Sequence, residues 1–195
     1  MTLREGGVVA LPTDTIYGLA TSLNNVEKLY AVKDRNPLKP VAICLSDIPQ
    51  LHRWAKVTVS EGLLSQLLPG PVTLVFERTN ELPKQLNPDT DLIGVRIPNH
   101  PFIRALAESC QQPLALTSAN RSNAGSSLAI EEFSDLWPEL DLIIDGGKLP
   151  DTALSREGST VIDLAQPGCY KVLRNGCAFH RTIEALRKAG LTSLN

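Results

Sequence analysis

No stretch of the 195-residue sequence approaches the roughly 20 consecutive apolar residues that cross a bilayer, so stable membrane insertion through a helix is not expected. Excess charge of one sign is also missing. Nineteen basic side chains face 21 acidic ones, a net charge of −2, which gives no general electrostatic case for nucleic acid or a membrane surface. Aromatic residues make up 5% of the chain, too few for the interleaved stacking platforms of single-strand binders. The four cysteines, Cys44, Cys110, Cys169 and Cys177, form no CxxC pair, and His52, His100 and His180 are just as dispersed. Zinc catalysis is therefore disfavoured, and reduced thiols are expected. Residues 1–7 lack the charged-then-apolar layout of a signal peptide. The expected location is cytoplasmic, and mitochondrial as well only if a leader precedes this sequence. G-x-G-x-x-G, a Walker-type loop and a G-x-S-x-G elbow are all absent, which removes the commonest nucleotide-loop and hydrolase-triad templates.

What is present is an even alternation of short β-branched runs and amphipathic stretches. Apolar residues are 43% of the chain, enough for one sizeable core, and no linker or repeat divides it. Strands are predicted at 7–11, 41–45, 72–77, 92–97, 113–117, 141–145, 160–164 and 170–174. Helices are predicted near 25–35, 60–68, 100–109, 128–137 and 181–189. The alternation is not strict. The fold class is α/β, with a mixed sheet flanked by helices. One domain over 1–195 is expected, with its core at about 6–176 and a C-terminal helix at about 180–190.

Four segments carry the chemistry. Pro12-Thr13-Asp14-Thr15-Ile16-Tyr17-Gly18-Leu19-Ala20 follows an apolar run and reads as hydroxyl-rich turn chemistry at a strand end. In the helix near 25–35, Val26, Leu29 and Tyr30 share one face, and Lys33 comes next on that face, beside the core. Arg35 and Lys39 complete a local basic cluster, and Pro37 stops the helix. Lys33 reads either as a snorkelling lysine or as a cation aimed at an anion. Arg96 sits between Val95 and Ile97, and as part of a strand it shares a face with Leu92 and Gly94. It needs a carboxylate, a phosphate or a polar cleft. Thr117-Ser118-Ala119-Asn120 ends another strand with donors and acceptors, fit for a phosphate or base edge, or for a turn. Ser126 and Ser127 read as caps of the following helix. Arg174, at the end of Tyr170-Lys171-Val172-Leu173, and Gly158-Ser159-Thr160 repeat the theme. Together these form cations and hydroxyls at strand ends, a site for anions.

In this order the segments resemble the YrdC-domain family, the threonylcarbamoyl-adenylate synthases of tRNA modification. The resemblance rests on Pro12 through Leu19, Lys33-x-Arg35, Lys39-Pro40, Pro69-Gly70-Pro71-Val72-Thr73-Leu74-Val75 and Gly94-Val95-Arg96-Ile97-Pro98. It continues through Ser118-x-Asn120, Gly158-Ser159-Thr160-Val161-Ile162-Asp163 and Leu173-Arg174-x-Gly176, and is nearest to the animal single-domain branch. It implies a twisted open sheet enclosing a deep basic cavity. It also implies a nucleotidyltransferase that makes threonylcarbamoyl-AMP and pyrophosphate from L-threonine, bicarbonate and ATP. The product would pass to a tRNA threonylcarbamoyl transferase complex acting on adenosine 37 of tRNA.

On matching positions the family pattern implies Lys33 and Arg35 as catalytic residues. Thr15, Arg35, Arg96, Ser118 and Ser159 would contact threonine or bicarbonate. Lys33, Lys39, Ser118, Asn120, Ser126, Ser127 and Arg174 would contact the nucleotide. Mg2+ would arrive on the triphosphate, held by phosphate oxygens and water, with no dedicated protein ligands. Two rivals stand beside this reading. One is a module that uses the same cavity for weak RNA binding, and the other is a different carbamoyl or acyl transferase on the same fold.

Overall fold

The computed structural model describes residues 2–34, 39–121 and 124–194. Among them, eleven strands form a single sheet. They are β1 (Val9–Leu11), β2 (Gly18–Ser22), β3 (Ala42–Cys44), β4 (Ala55–Lys56), β5 (Val72–Arg78), β6 (Leu92–Arg96), β7 (Leu114–Ser118), β8 (Leu142–Ile143), β9 (Thr160–Asp163), β10 (Cys169–Arg174) and β11 (Thr192–Ser193). The order across the sheet is β11-β10-β9-β5-β6-β3-β7-β2-β1-β8, with β4 paired to β5 off this path. Parallel pairs (β3 with β6, β5 with β9) lie among antiparallel ones (β5 with β6, β2 with β7), so the sheet is mixed.

All eight predicted strands are found. Residues 18–20 of β2 were read as part of a turn segment, because glycine and alanine are poor strand formers. Pairing on both edges, with β1 and with β7, overrides that local preference. The very short β4 and β11 carry no detectable pattern.

The helices are α1 (Val26–Val32), α2 (Leu51–Trp54), α3 (Glu61–Leu67), α4 (Pro101–Cys110) and α5 (Phe179–Lys188). Helix α1 ends at Val32 with Lys33 as its C-cap, short of the predicted end at 35. Ser60 caps α3 by accepting from the Leu63 N–H at 3.3 Å, and Pro101 opens α4. The helix predicted at 128–137 is instead a 3-10 segment, Ile130–Glu139, interrupted at Phe133 and containing Pro138. Phe133 is turned fully into the core, where it meets Tyr17 with ring centroids 5.6 Å apart. No described helix is long and apolar enough to cross a membrane.

The two faces of the sheet have different covers. Leu74, Phe76, Ile93, Val95, Ile43, Ala115 and Leu19 form one cluster with residues of α1, α3 and α5. On the opposite face Val9, Leu11, Ala20, Cys44, Leu114 and Leu116 pack against Ile103 and Ala107 of α4. That helix covers only part of its face. The rest is the cavity.

Candidate active site

The cavity has a volume of about 350 Å3 and is built from alternate residues of neighbouring strands. Thr73 and Val75 of β5, Leu92, Gly94 and Arg96 of β6, and Leu116 and Ser118 of β7 line it, with Ser159 and Val161 from β9 and the residue before it. Side chains two apart on a strand point to the same face, so the cavity extends across the sheet. Its cations and hydroxyls stand at strand ends, as expected from the sequence: Arg96 closes β6, Ser118 closes β7, Arg174 closes β10 and Ser159 precedes β9. The room comes from small residues: a side chain at Gly94 would meet Thr73 Cγ2 at 3.1 Å and Ala42 Cβ at 3.5 Å. No carboxylate is found among the described lining residues, whereas two guanidinium groups are.

Arg96 is 7% exposed and reaches the hydroxyl turn before β2. One terminal nitrogen, Nη2, donates to Asp14 Oδ1 at 2.6 Å, Thr15 Oγ1 at 2.6 Å and Thr13 Oγ1 at 3.2 Å. The other Asp14 oxygen accepts from the Asn99 N–H at 2.9 Å. The carboxylate thus pins Arg96 and the chain that follows its strand. Thr13 holds the turn itself: its hydroxyl donates to the Ile16 carbonyl at 2.7 Å and accepts from the Thr15 and Ile16 N–H groups. Asp14 and Thr13 stand in the hydroxyl-rich segment read from the sequence, but neither was assigned a place beside Arg96. The signal was partial, since Arg96 in an apolar strand demanded a carboxylate without saying which one.

A second cluster lies across β5 from Arg96. Thr73 pairs with Arg96 on one side and Val161 on the other. Its hydroxyl meets Ser159 Oγ at 2.8 Å, and Arg174 Nη2 donates to the same oxygen at 2.9 Å while Nε donates to the Ser159 carbonyl at 3.0 Å. Thr73 was also missed, although it occupies the cavity-facing register of its strand. Gly176 makes this corner possible. A Cβ there would sit 2.3 Å from the Ser159 carbonyl carbon, so the two chains touch only because position 176 has no side chain.

Strand pairing joins the third cluster to the first. Gly18 pairs with Ser118, and the Ala119 N–H donates to the Tyr17 carbonyl at 2.8 Å. Lys33 is 1% exposed and reaches past the strand end. Its ammonium donates to the backbone carbonyls of Ser118 and Asn120 and stands 3.4 Å from Ser118 Oγ and Asn120 Oδ1. Asn120 turns its amide to the Arg121 and Ala124 carbonyls, at 2.8 and 2.7 Å.

Of the predicted residues, Arg96, Ser118, Ser159 and Arg174 line the cavity. Thr15 is bonded to Arg96, and Lys33 links Ser118 to Asn120. Lys39 is exposed, next to the lining residue Pro40. Arg35 lies outside the described residues. Ser126 and Ser127 cap no helix. The hydroxyl of Ser127, which is 1% exposed, donates to the Ala119 carbonyl at 2.8 Å, and the 3-10 segment starts after Ala129 with no side-chain cap. The carbonyl of Ser126 accepts from Arg156, whose guanidinium also clasps Glu132 at 2.7 and 3.0 Å.

Titration reinforces this division of labour. Burial pushes the Cys44 thiol up to about 12, with Arg96 opposing and Asp14 adding to the shift. Burial also raises Cys177, again with Asp14 adding and Arg96 opposing. Both thiols are held protonated, so neither is an activated nucleophile. Tyr17 is raised by burial too, and its hydroxyl donates to the Gly147 carbonyl at 2.7 Å. Among the described residues no cluster of three or more His, Cys, Asp and Glu is placed to hold a metal.

The model of the Sua5/YciO/YrdC family, described as "Telomere recombination", matches residues 1–176. The chain belongs to this family. Two mammalian relatives of the Sua5/YciO/YrdC chain, both named threonylcarbamoyl-AMP synthase, are similar over nearly its whole length. The Bos taurus protein is 54% identical over 194 residues, 97% of this chain and 70% of its own. The Homo sapiens protein is 51% identical over 191 residues, 95% of this chain and 68% of its own. Among solved structures, Pyrococcus abyssi Sua5 complexed with L-threonine superposes with a TM-score of 0.84 at 31% identity. The match covers 98% of this chain and 56% of that one, so the chain spans little more than half of the archaeal protein's length.

Proposed function

We propose that the protein is a threonylcarbamoyl-AMP synthase, an enzyme that condenses L-threonine, bicarbonate and ATP into threonylcarbamoyl-AMP, pyrophosphate and water. The observation that carries the reading is the 350 Å3 cavity, where Arg96, Arg174, Ser118 and Ser159 meet; Asp14 pins Arg96, but no carboxylate is among the described lining residues. Both organic substrates are anionic. Threonine presents a carboxylate and ATP a triphosphate, and such groups are best held by fixed guanidiniums and hydroxyls.

The chemistry asks for positioning more than for a nucleophilic side chain. The threonine amine and bicarbonate give a carbamate with loss of water. A carbamate oxygen then attacks the α-phosphorus, and the bond to the bridging oxygen of pyrophosphate breaks, which makes the reaction a nucleotidyl transfer. Holding two reactants in line is worth roughly 7–11 kcal/mol in well-oriented systems, and fixed cations offset charge that develops in the transition state. In this reading Arg96 and Thr15 take the threonine side, with Ser159 as a shared wall. Arg174 and Asn120 serve the nucleotide and Ser118 stands between. Lys33 and Arg35 supply charge to the reacting groups, and Lys39, Ser126 and Ser127 add contacts at the nucleotide end. Magnesium is carried by the triphosphate, and delivery of the product to a tRNA-modifying transferase completes the role.

The test is pyrophosphate release from ATP at fixed magnesium, with each co-substrate omitted in turn. Release that requires both threonine and bicarbonate is expected. Release indifferent to threonine would overturn the assignment in favour of another transferase. Intact ATP, together with RNA retention that falls steeply with salt, would favour the RNA-binding alternative.

A further inference from the structure

Thr73 and Ser159 hold between them a hydroxyl proton that the rest of the protein does not use. Both residues line the cavity and are nearly buried, at 6% and 3% exposed. Their hydroxyl oxygens stand 2.8 Å apart, and Arg174 Nη2 donates to the Ser159 oxygen at 2.9 Å. Two hydroxyls carry two protons, and only one of them can lie between the oxygens. No acceptor for the other is found among the described residues. A buried donor without an acceptor is costly, so the remaining proton is offered to whatever occupies the cavity.

The surroundings decide which hydroxyl offers it. Thr73 is branched at Cβ and stiff about χ1. Its methyl Cγ2 lies toward β6, where a side chain at Gly94 would meet it at 3.1 Å, and its hydroxyl lies toward Ser159. Ser159 accepts from a guanidinium, which makes its O–H the stronger donor of the two. An acceptor in the cavity therefore draws the Ser159 proton and leaves that of Thr73 between the oxygens. With Arg174 on one lone pair and Thr73 on the other, Ser159 can only donate. The complementary ligand atom is an acceptor-only oxygen. Two guanidiniums line the same cavity and no carboxylate does among the described residues, which favours an anionic one.

We infer that Thr73 is a positioning residue, which fills the second lone pair of Ser159 and so fixes the Ser159 hydroxyl as a donor to the carboxylate of the substrate. That this carboxylate belongs to threonine rests on the synthase reading, whereas the proton count does not. Without the Thr73 hydroxyl, Ser159 keeps its bond from Arg174 but its rotor is released. In some of its positions it then turns a lone pair toward the anion, and the two repel.

The experiment compares the full chain with Thr73→Val, which puts a methyl of similar size in place of the hydroxyl, with Thr73→Ser, which restores the hydroxyl, and with Thr21→Val. Thr21 is fully buried on β2, and its hydroxyl donates to the Gly7 carbonyl at 2.9 Å. Strands β6, β3 and β7 separate it from Thr73. Threonine binding is read by calorimetry, and the KM values for threonine and ATP by pyrophosphate release. Thr73→Val is expected to raise the threonine Kd and KM about five- to tenfold, the worth of one hydrogen bond, with the KM for ATP within about twofold of wild type. Thr73→Ser should recover most of the loss. Thr21→Val should leave both KM values near wild type although it too removes a buried bond. An unchanged threonine Kd in Thr73→Val, threonine and ATP values that rise together, or the same threonine loss in Thr73→Ser or Thr21→Val would each overturn the inference. If Thr73→Val does not fold, Thr73→Ala takes its place with the same split expected. A wild type that binds threonine but releases no pyrophosphate would remove the synthase reading, and the Kd values would still decide the role of Thr73. A wild type that binds no threonine would overturn both.

Discussion

The two faces of β5, β6 and β7 come from the same strands, and they behave as different materials. On one face Leu74, Phe76, Ile93, Val95 and Ala115 have no exposed surface and are packed by helices. On the other, Thr73, Gly94, Arg96 and Ser118 leave a cavity where a helix would otherwise lie. The alternation of strand side chains lets one backbone serve both purposes, with odd and even positions under separate constraints. Stability should therefore be concentrated on one face and chemistry on the other.

The sharpest way to break that separation is Phe76→Ala on the packed face. A loss of about 3–5 kcal/mol is expected for so large a buried ring, read from denaturant unfolding, with turnover per folded molecule close to wild type. A drop in turnover matching the drop in stability would show that the faces are coupled. On the other side of the comparison, Lys33→Ala should lower turnover by about 10²–10³-fold, the usual cost of removing one fixed charge-stabilising group. Its circular dichroism should stay native, and unaltered turnover would remove Lys33 from the reacting site. Gly94→Val fills space in the cavity's wall. It should raise the KM for substrate about tenfold or more while changing stability by under about 2 kcal/mol, the range for overpacking where neighbours can move.

The smallest effect concerns acid. Glu132 is held at about 2, below the ordinary 4.5, first by its hydrogen bonds from Arg156. A carboxyl depressed in the folded state stabilises above its unfolded value, and that contribution is lost as pH falls from about 4.5 towards 2. The side chains are 46% and 32% exposed, so solvent screening keeps the contribution to within about 1 kcal/mol. Glu132→Gln should flatten this part of the pH–stability curve and leave the curve above pH 6 parallel to wild type, as thermal melts across the range would reveal.

Much of this arrangement was readable in the chain. Each of the eight predicted runs holds a strand, and Arg96 does share its face with Leu92 and Gly94, because strand periodicity is local. Lys33 does leave α1 beside the core, because helical periodicity is local too. What escaped the sequence depends on partners far away. Gly18–Ser22 is a strand only because β1 and β7 flank it. Asp14 serves Arg96 only because the hydroxyl turn and β6 converge. The strand ends were legible, but which of them meet around one cavity follows from which strands are neighbours, and no single segment encodes that order.

The walls of the cavity are drawn from Thr13 at one end of the chain and Arg174 near the other. Parallel pairing of Val72 with Thr160 and of Val9 with Leu142 closes very long loops, and such closures come at an entropic cost before any contact rewards them. A nascent chain that has emerged only as far as β8 has neither Ser159 nor Arg174, and so lacks one wall of the pocket. A ligand that needs both guanidiniums can therefore report that β9 and β10 have joined the sheet, and can act during refolding only after they have.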